Sequence, residues 1–165
     1  MSAPIRPGEG QRPLPVRIEV TREPGADPDL ELPTYATAGA AGADLRADLM
    51  GGDPIVLGPM ARALVPTGLR IALPRGWELQ VRPRSGLALT HGITVANAPG
   101  TVDSDYRGPL GVILVNLSDT AFEVTHGMRV AQVVVSPVAQ SVWDAVPELA
   151  ASARGTGGFG STGLD

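Results

Sequence analysis

The stretch Gly68–Pro83, GLRIALPRGWELQVRP, decides the fold. In its first half Leu69, Ile71 and Leu73 share a face, and in its second half Trp77, Leu79 and Val81 oppose Glu78, Gln80 and Arg82. Successive side chains of a strand point to opposite faces, so this period of two predicts half-buried strands. Two further segments, Gly111–Leu117 (GVILVNL) and Arg129–Val138 (RVAQVVVSPV), are almost continuously apolar. Such runs predict strands buried on both faces, with a subunit interface as one candidate cover.

The 165-residue chain carries 16 Pro and 21 Gly, so closely spaced that no long helix fits between them. Short strands with turns at this spacing indicate a sandwich or barrel. The expectation is one all-β domain over residues 15–146. Its core must be Val, Leu, Ile and Ala, because aromatic residues make up only 4%. Residues 1–14 are expected to be a disordered extension. Residues 147–165 are expected to be a flexible arm, opening with one helical turn at Pro147 and ending in a glycine-rich motif.

Composition removes whole classes of chemistry. There is no Cys, which excludes thiol nucleophiles, Cys-ligated zinc and iron–sulfur clusters and fits a reducing compartment. All 13 basic residues are Arg. Genomic base composition, which also enriches Ala and Gly, is the simpler cause. Either way Schiff-base chemistry and the lysine of a P-loop are excluded, while the planar guanidinium suits bidentate contact with phosphate. A net charge of −4 argues against nucleic acid as a partner but leaves room for a small anion held by a few local cations. No apolar run approaches the ~20 residues of a membrane span and no signal segment is visible, so the expectation is a soluble cytoplasmic protein without a membrane partner.

His91 and His126 are read as turn or surface residues, since neither a G-x-S-x-G elbow nor an H-E-x-x-H helix is present. Carboxylates remain for acid–base work. The densest polar cluster is Asn97–Gly108, NAPGTVDSDYRG, lying between apolar strands around Val95 and Val112. Its turn formers predict a hairpin presenting Asp103, Ser104, Asp105 and Tyr106, and a hairpin with a merely solvated acidic tip fits the pattern equally well. In extended backbone Asp103 and Asp105 point the same way, toward a metal or a water, and the pattern does not choose between them. In Arg82–Leu89, RPRSGLAL, Arg84, Ser85 and Gly86 combine a fork donor, a hydroxyl and open backbone, suited to a phosphate at the start of a short helix. Ala41–Asp48, AGADLRAD, offers Asp44 among small residues. Gln132 interrupts the apolar run GMRVAQVVV and needs a polar partner.

In chain order, AGADLRAD, PRSGLAL, NAPGTVDSDYRG, GMRVAQ and RGTGGFGSTG resemble the five motifs of the homotrimeric deoxyuridine triphosphate nucleotidohydrolases (dUTPases) from about Tyr35 to Gly163. The resemblance implies a jelly-roll-like β-barrel or sandwich, and a homotrimer whose three active sites are shared between subunits. It implies Mg²⁺-dependent hydrolysis of dUTP to dUMP and pyrophosphate by water attack on the α-phosphate. That activity limits uracil incorporation into DNA and supplies dUMP for thymidylate synthesis.

Carried over motif by motif, the resemblance assigns Asn97 through Tyr106, Thr101 and Val102 included, to the nucleoside. Their backbone would mimic a pairing base, Tyr106 would pack on the deoxyribose and exclude a 2′-hydroxyl, and Asp103 would deprotonate the attacking water. Arg84, Ser85, Gly86 and Gln132 would contact phosphates. Asp44 would touch through water an Mg²⁺ held mainly by the substrate phosphates. Two positions depart from the family pattern: Met128 stands where an acid is usual and Ala43 where an aromatic is common. The first bears on a local contact and the second on packing beside Asp44.

Gly155, Gly157 and Gly160 match dinucleotide-loop spacing, but no predicted strand precedes them and no helix can follow. The resemblance makes this segment a lid that closes on substrate, with Arg154, Gly160 and Ser161 at the outer phosphates and Phe159 stacked on uracil. A dCTP deaminase on the same fold would use a Glu base, and an idle nucleotide-binding trimer would not need Asp103. Pyrophosphate release from dUTP separates the three readings.

Overall fold

A computed structural model describes residues 15–158. Eleven strands and one short helix follow in chain order. They are β1 (Glu19–Arg22), β2 (Thr34–Tyr35), β3 (Ala43–Arg46), β4 (Ile55–Leu57), β5 (Arg62–Ala72), β6 (Trp77–Arg82), α1 (Ser85–His91), β7 (Ile93–Val95), β8 (Gly100–Val102), β9 (Pro109–Asn116), β10 (Phe122–Val124) and β11 (Arg129–Pro137). Among the described residues α1 is the only α-helix, as the Pro and Gly spacing predicts.

Two antiparallel sheets carry the fold, one ordered β1-β5-β9-β7 and the other β2-β3-β11-β6-β8, with β10-β4 as a small third sheet. The two halves of Gly68–Pro83 separate: β5 lies in the first sheet and β6 in the second. The turn between them runs through Gly76 at φ 86°, a left-handed conformation that glycine adopts without steric cost. Leu69, Ile71 and Leu73 on one side of the crossing and Leu79 and Val81 on the other are all buried in one apolar cluster. Alternating faces of the two sheets therefore meet in a single core, the jelly-roll-like sandwich that was expected.

Within the single chain the continuous apolar run of β9 is buried on one face. Leu110, Val112, Leu114 and Asn116 point inward, whereas Ile113 is 38% exposed and its cross-strand partner Leu64 is 65% exposed. β11 sits between β3 and β6, with a register shift between Arg129 and Ala131 that brings Val130 and Ala131 both into the core.

The polar cluster between Val95 and Val112 is also more than a hairpin. β7 and β9 do pair, Val95 opposite Leu114, but the connection carries β8 across to the other sheet, where Gly100, Thr101 and Val102 pair with Val81, Gln80 and Leu79 of β6. The arm after β11 contains no strand through residue 158, and the helical turn expected at Pro147 is replaced by a bend. A proline opens a helix only where following residues supply the hydrogen bonds, and here Val142, Trp143 and Leu149 are all exposed, with no packing to hold a helical turn.

Candidate active site

The predicted site residues fall into two groups. The first lines a cleft of about 270 Å³, close to the lower end of small-molecule pockets. One wall is Asn97, Gly100, Thr101, Val102, Asp103 and Tyr106, and Leu64, Val81, Leu110 and Ile113 supply apolar surface. The crossing of β8 builds that wall. A side chain at Gly100 would sit 3.1 Å from Asn97 Nδ2 and 3.4 Å from Val81 Cβ, so the bare backbone lets the Asn97 amide lie against the strand. Val102 turns its side chain into the core, while Thr101 is exposed.

Beyond Val102 the chain is not extended. Tyr106 N–H donates to Asp103 O at 3.2 Å, closing a turn, and Arg107 Nη1 donates to Ser104 O and Tyr106 O, both at 2.7 Å. Asp103 and Asp105 therefore do not project in parallel as the extended reading supposed. Asp103 borders both the 270 Å³ cleft and an adjoining one of about 1000 Å³, whereas Asp105 borders only the larger. The Tyr106 hydroxyl donates to Pro109 O at 3.0 Å, which holds the ring along the cleft.

The second group gathers around Asp44. Arg84 Nε lies 3.0 Å from Asp44 Oδ1, and Arg129 Nη1 donates to Asp44 Oδ2 at 2.9 Å. Arg84 Nη1 also donates to Arg129 O at 3.0 Å. The two guanidiniums thus share one carboxylate, and that carboxylate is largely shielded from solvent, its side chain 17% exposed. Sheet register explains the meeting: Asp44 of β3 stands opposite Gln132 of β11, which stands opposite Arg82 of β6. Gln132 finds the partner its burial demands in Pro83 O, at 2.9 Å from Nε2. A Cβ at Gly42 would overlap Gln132 Oε1 and lie 3.1 Å from Cδ, so the small residue two positions before Asp44 makes room for this amide. Ser85 and Gly86 are exposed in the first turn of α1, with nothing within 4 Å of a Cβ built at Gly86.

Neither Asp44, Arg84, Ser85, Gly86 nor Gln132 lines the 270 Å³ cleft. Arg154 stays within the arm, its Nε donating to Gly157 O at 2.9 Å. Phe159, Gly160 and Ser161 lie outside the described residues. Sequence reasoning named Arg129 only as the first residue of an apolar run, and its tie to Asp44 spans 85 positions of chain, beyond any local pattern.

Both histidines are structural. His91 packs its ring 5.1 Å from that of Phe122. His126 Nδ1 accepts from Leu49 N–H at 3.1 Å, which leaves the Nε2 proton to be donated to Asp27 Oδ2 at 3.0 Å. Met128, in place of the usual acid, packs against the core, and Ala43 is itself buried in it.

The dUTPase family model matches residues 29–163. The deoxyuridine 5′-triphosphate nucleotidohydrolase of Roseobacter denitrificans is 59% identical over 150 residues, covering 91% of this chain and 98% of that protein. The enzyme of the same name from Chlamydia pneumoniae is 60% identical over 134 residues, 81% of this chain and 91% of its own. Among solved structures, the dUTPase of Staphylococcus bacteriophage 80alpha with dUpNHpp superposes with a TM-score of 0.77 at 22% identity, over 90% of this chain and 99% of that one. A dUTPase of phage phi11 of S. aureus, described with a structural Mg(II) ion, gives 0.69 at 18% identity, over 82% and 99%. With the family model covering most of the chain and relatives this similar along nearly their full length, the chain belongs to the dUTPase family.

Proposed function

We propose that this chain hydrolyses dUTP to dUMP and pyrophosphate, with the nucleoside in the β8 cleft and Asp103 at its edge as the base. The observation that carries the reading is the cleft itself: the unpaired edge of β8, the Asn97 amide, one carboxylate and one tyrosine ring converge on a cavity of nucleoside size. Backbone N–H and C=O groups of Gly100–Val102 suit the donor and acceptor edge of uracil, with Asn97 assisting. The Tyr106 ring forms the face against which the deoxyribose packs. Asp103 takes the proton of the attacking water as its oxygen bonds to the α-phosphorus, and the bond to the bridging oxygen breaks to release pyrophosphate. Arg84, with Ser85, Gly86 and Gln132, would neutralise the charge that develops on the phosphates.

Among the described residues no group of three or more His, Asp or Glu is placed to hold a metal ion. The acid near the phosphate residues, Asp44, is already engaged by two guanidiniums. That donor set does not fit a protein cage, but it fits Mg²⁺ carried by the triphosphate with one carboxylate reaching its waters. When bound, the ion supplies charge neutralisation at the phosphate oxygens.

Asp44, Arg84 and Gln132 lie outside the nucleoside cleft, and Leu64 and Ile113 expose apolar surface at its rim. We read both as features of a homotrimer in which one subunit's cleft is completed by a neighbour's phosphate residues and by the Arg154–Ser161 arm of a subunit closing over it. A cytoplasmic setting agrees with the absence of cysteine, and no described helix is long and apolar enough to cross a membrane.

The test is hydrolysis of dUTP with Mg²⁺ in H₂¹⁸O, with dCTP and dTTP as controls. Pyrophosphate release from dUTP, label in dUMP and no ammonia from dCTP are expected. No turnover at micromolar enzyme refutes the reading, and label in pyrophosphate refutes attack at the α-phosphate.

A further inference from the structure

Gly108 sits two residues beyond Tyr106, is half-buried, and does not adopt the left-handed conformation that requires glycine. Its backbone would accept any residue, so the reason for glycine must be spatial. A Cβ built at this position would overlap the Tyr106 hydroxyl oxygen and lie 2.6 Å from Cζ and 2.9 Å from Cε2. Carbon atoms in contact normally stay ~3.5–4.0 Å apart, so the phenol rests directly on the bare chain.

Other glycines along the cleft are under milder constraint. At Gly100 the nearest atom is the Asn97 Nδ2, and at Gly111 it is Leu64 Cδ1, each the free end of a side chain that can turn away. A phenol ring is rigid. It relieves an overlap at Cζ only by moving as a whole, and the hydrogen bond from its hydroxyl to Pro109 O, 3.0 Å long, moves with it.

We infer that Gly108 is a positioning residue for sugar selection: by lacking a side chain it seats the Tyr106 ring on the chain and so fixes the wall that meets the deoxyribose. The inference rests on the dUTP reading of the cleft. Substituting Gly108→Ala requires the ring to move by roughly 1 Å, a displacement of a size that can cost ~10²-fold in rate when it misplaces a substrate contact.

The experiment compares kcat/KM for dUTP and for UTP in the wild type, Gly108→Ala, Tyr106→Ala and the double variant. Gly108→Ala is expected to lower kcat/KM for dUTP by ~10- to 100-fold and to narrow the preference for dUTP over UTP, with little change in melting temperature. In the Tyr106→Ala background the added methyl no longer meets the ring and is expected to change neither quantity, so the two sites are strongly non-additive. A Gly108→Ala enzyme that keeps the wild-type preference overturns the inference, as does an equal loss in both backgrounds. A wild type without dUTP turnover refutes the functional reading instead. A crystal structure of Gly108→Ala then decides the steric step alone, and a ring still seated on residue 108 overturns it.

Discussion

Asp44→Asn separates an arginine anchor from a metal contact. In the structure each carboxylate oxygen serves one guanidinium, at 3.0 Å to Arg84 Nε and 2.9 Å to Arg129 Nη1, with the three side chains 17%, 26% and 46% exposed. At an effective dielectric of about 20 each pair would contribute ~4 kcal/mol of Coulomb energy. Partial exposure and side-chain ordering reduce the net gain to ~1–1.5 kcal/mol per pair, between exposed ion pairs and hydrogen bonds to charged groups. Removing the charge costs ~2–3 kcal/mol in total, or roughly 5–10 °C in Tm for a chain of this size. Scanning calorimetry at fixed protein concentration measures the drop, which shrinks in 1 M salt because exposed pairs are screened. Freed guanidiniums still attract a triphosphate but no longer orient it, so kcat is expected to fall while KM for dUTP does not rise. The Mg²⁺ concentration for half-maximal rate is expected to rise only about two- to three-fold, because Asp44 reaches the ion through water while the substrate phosphates hold it. An unchanged Tm together with a ten-fold higher Mg²⁺ requirement refutes the anchor reasoning and makes the metal shell the main role of Asp44.

Three further outcomes follow from the same structure. Asp103→Asn is expected to lower turnover by ~10²–10⁴, the usual contribution of a general base, while binding of a non-hydrolysable dUTP analogue, read by titration calorimetry, stays within a few-fold; undiminished turnover would move the role to another group. Deleting residues 154–165 is expected to cripple turnover without lowering Tm, because residues 141–156 are exposed throughout and add nothing to the core; a collapse in Tm would make the arm structural. The Asp29 N–H and His126 hold the Asp27 carboxyl below its usual range, and the Arg70 guanidinium does the same for Glu23. Depressed carboxyls stabilise the fold at and above the ordinary carboxylate range and lose that contribution as pH falls through their folded values, so Tm is expected to drop below about pH 4. Glu23→Gln with Asp27→Asn is expected to flatten that acid limb, and an unchanged slope would contradict the assignment.

Strand existence was legible because burial on one face writes itself into alternate positions: Leu69, Ile71 and Leu73 are all in the core. Sheet membership was not, because nothing in GLRIALPRGWELQVRP distinguishes a hairpin from a crossing between sheets; that depends on the partners of β5 and β6 far along the chain. The apolar run of β9 was legible as a strand but not in what covers its second face, since Ile113 and its cross-strand partner Leu64 lie open in a single chain. At the site, local order placed Asn97–Tyr106 together, whereas the carboxylate shared by Arg84 and Arg129 arises only through the register of β3 with β11. Gly108 was invisible to rules that seek glycine in turns, because its constraint is a neighbouring ring.

The rung Asp44–Gln132–Arg82 also governs which length changes the chain can absorb. One residue inserted within β3 would turn Leu45 outward and Asp44 inward, since a shift of one position exchanges the faces of a strand. The same insertion at Gly51–Asp53, an exposed turn before β4, leaves the rung untouched. A tag or peptide grafted there is carried by the sandwich without disturbing the phosphate residues, whereas a single extra codon a few positions earlier dismantles them.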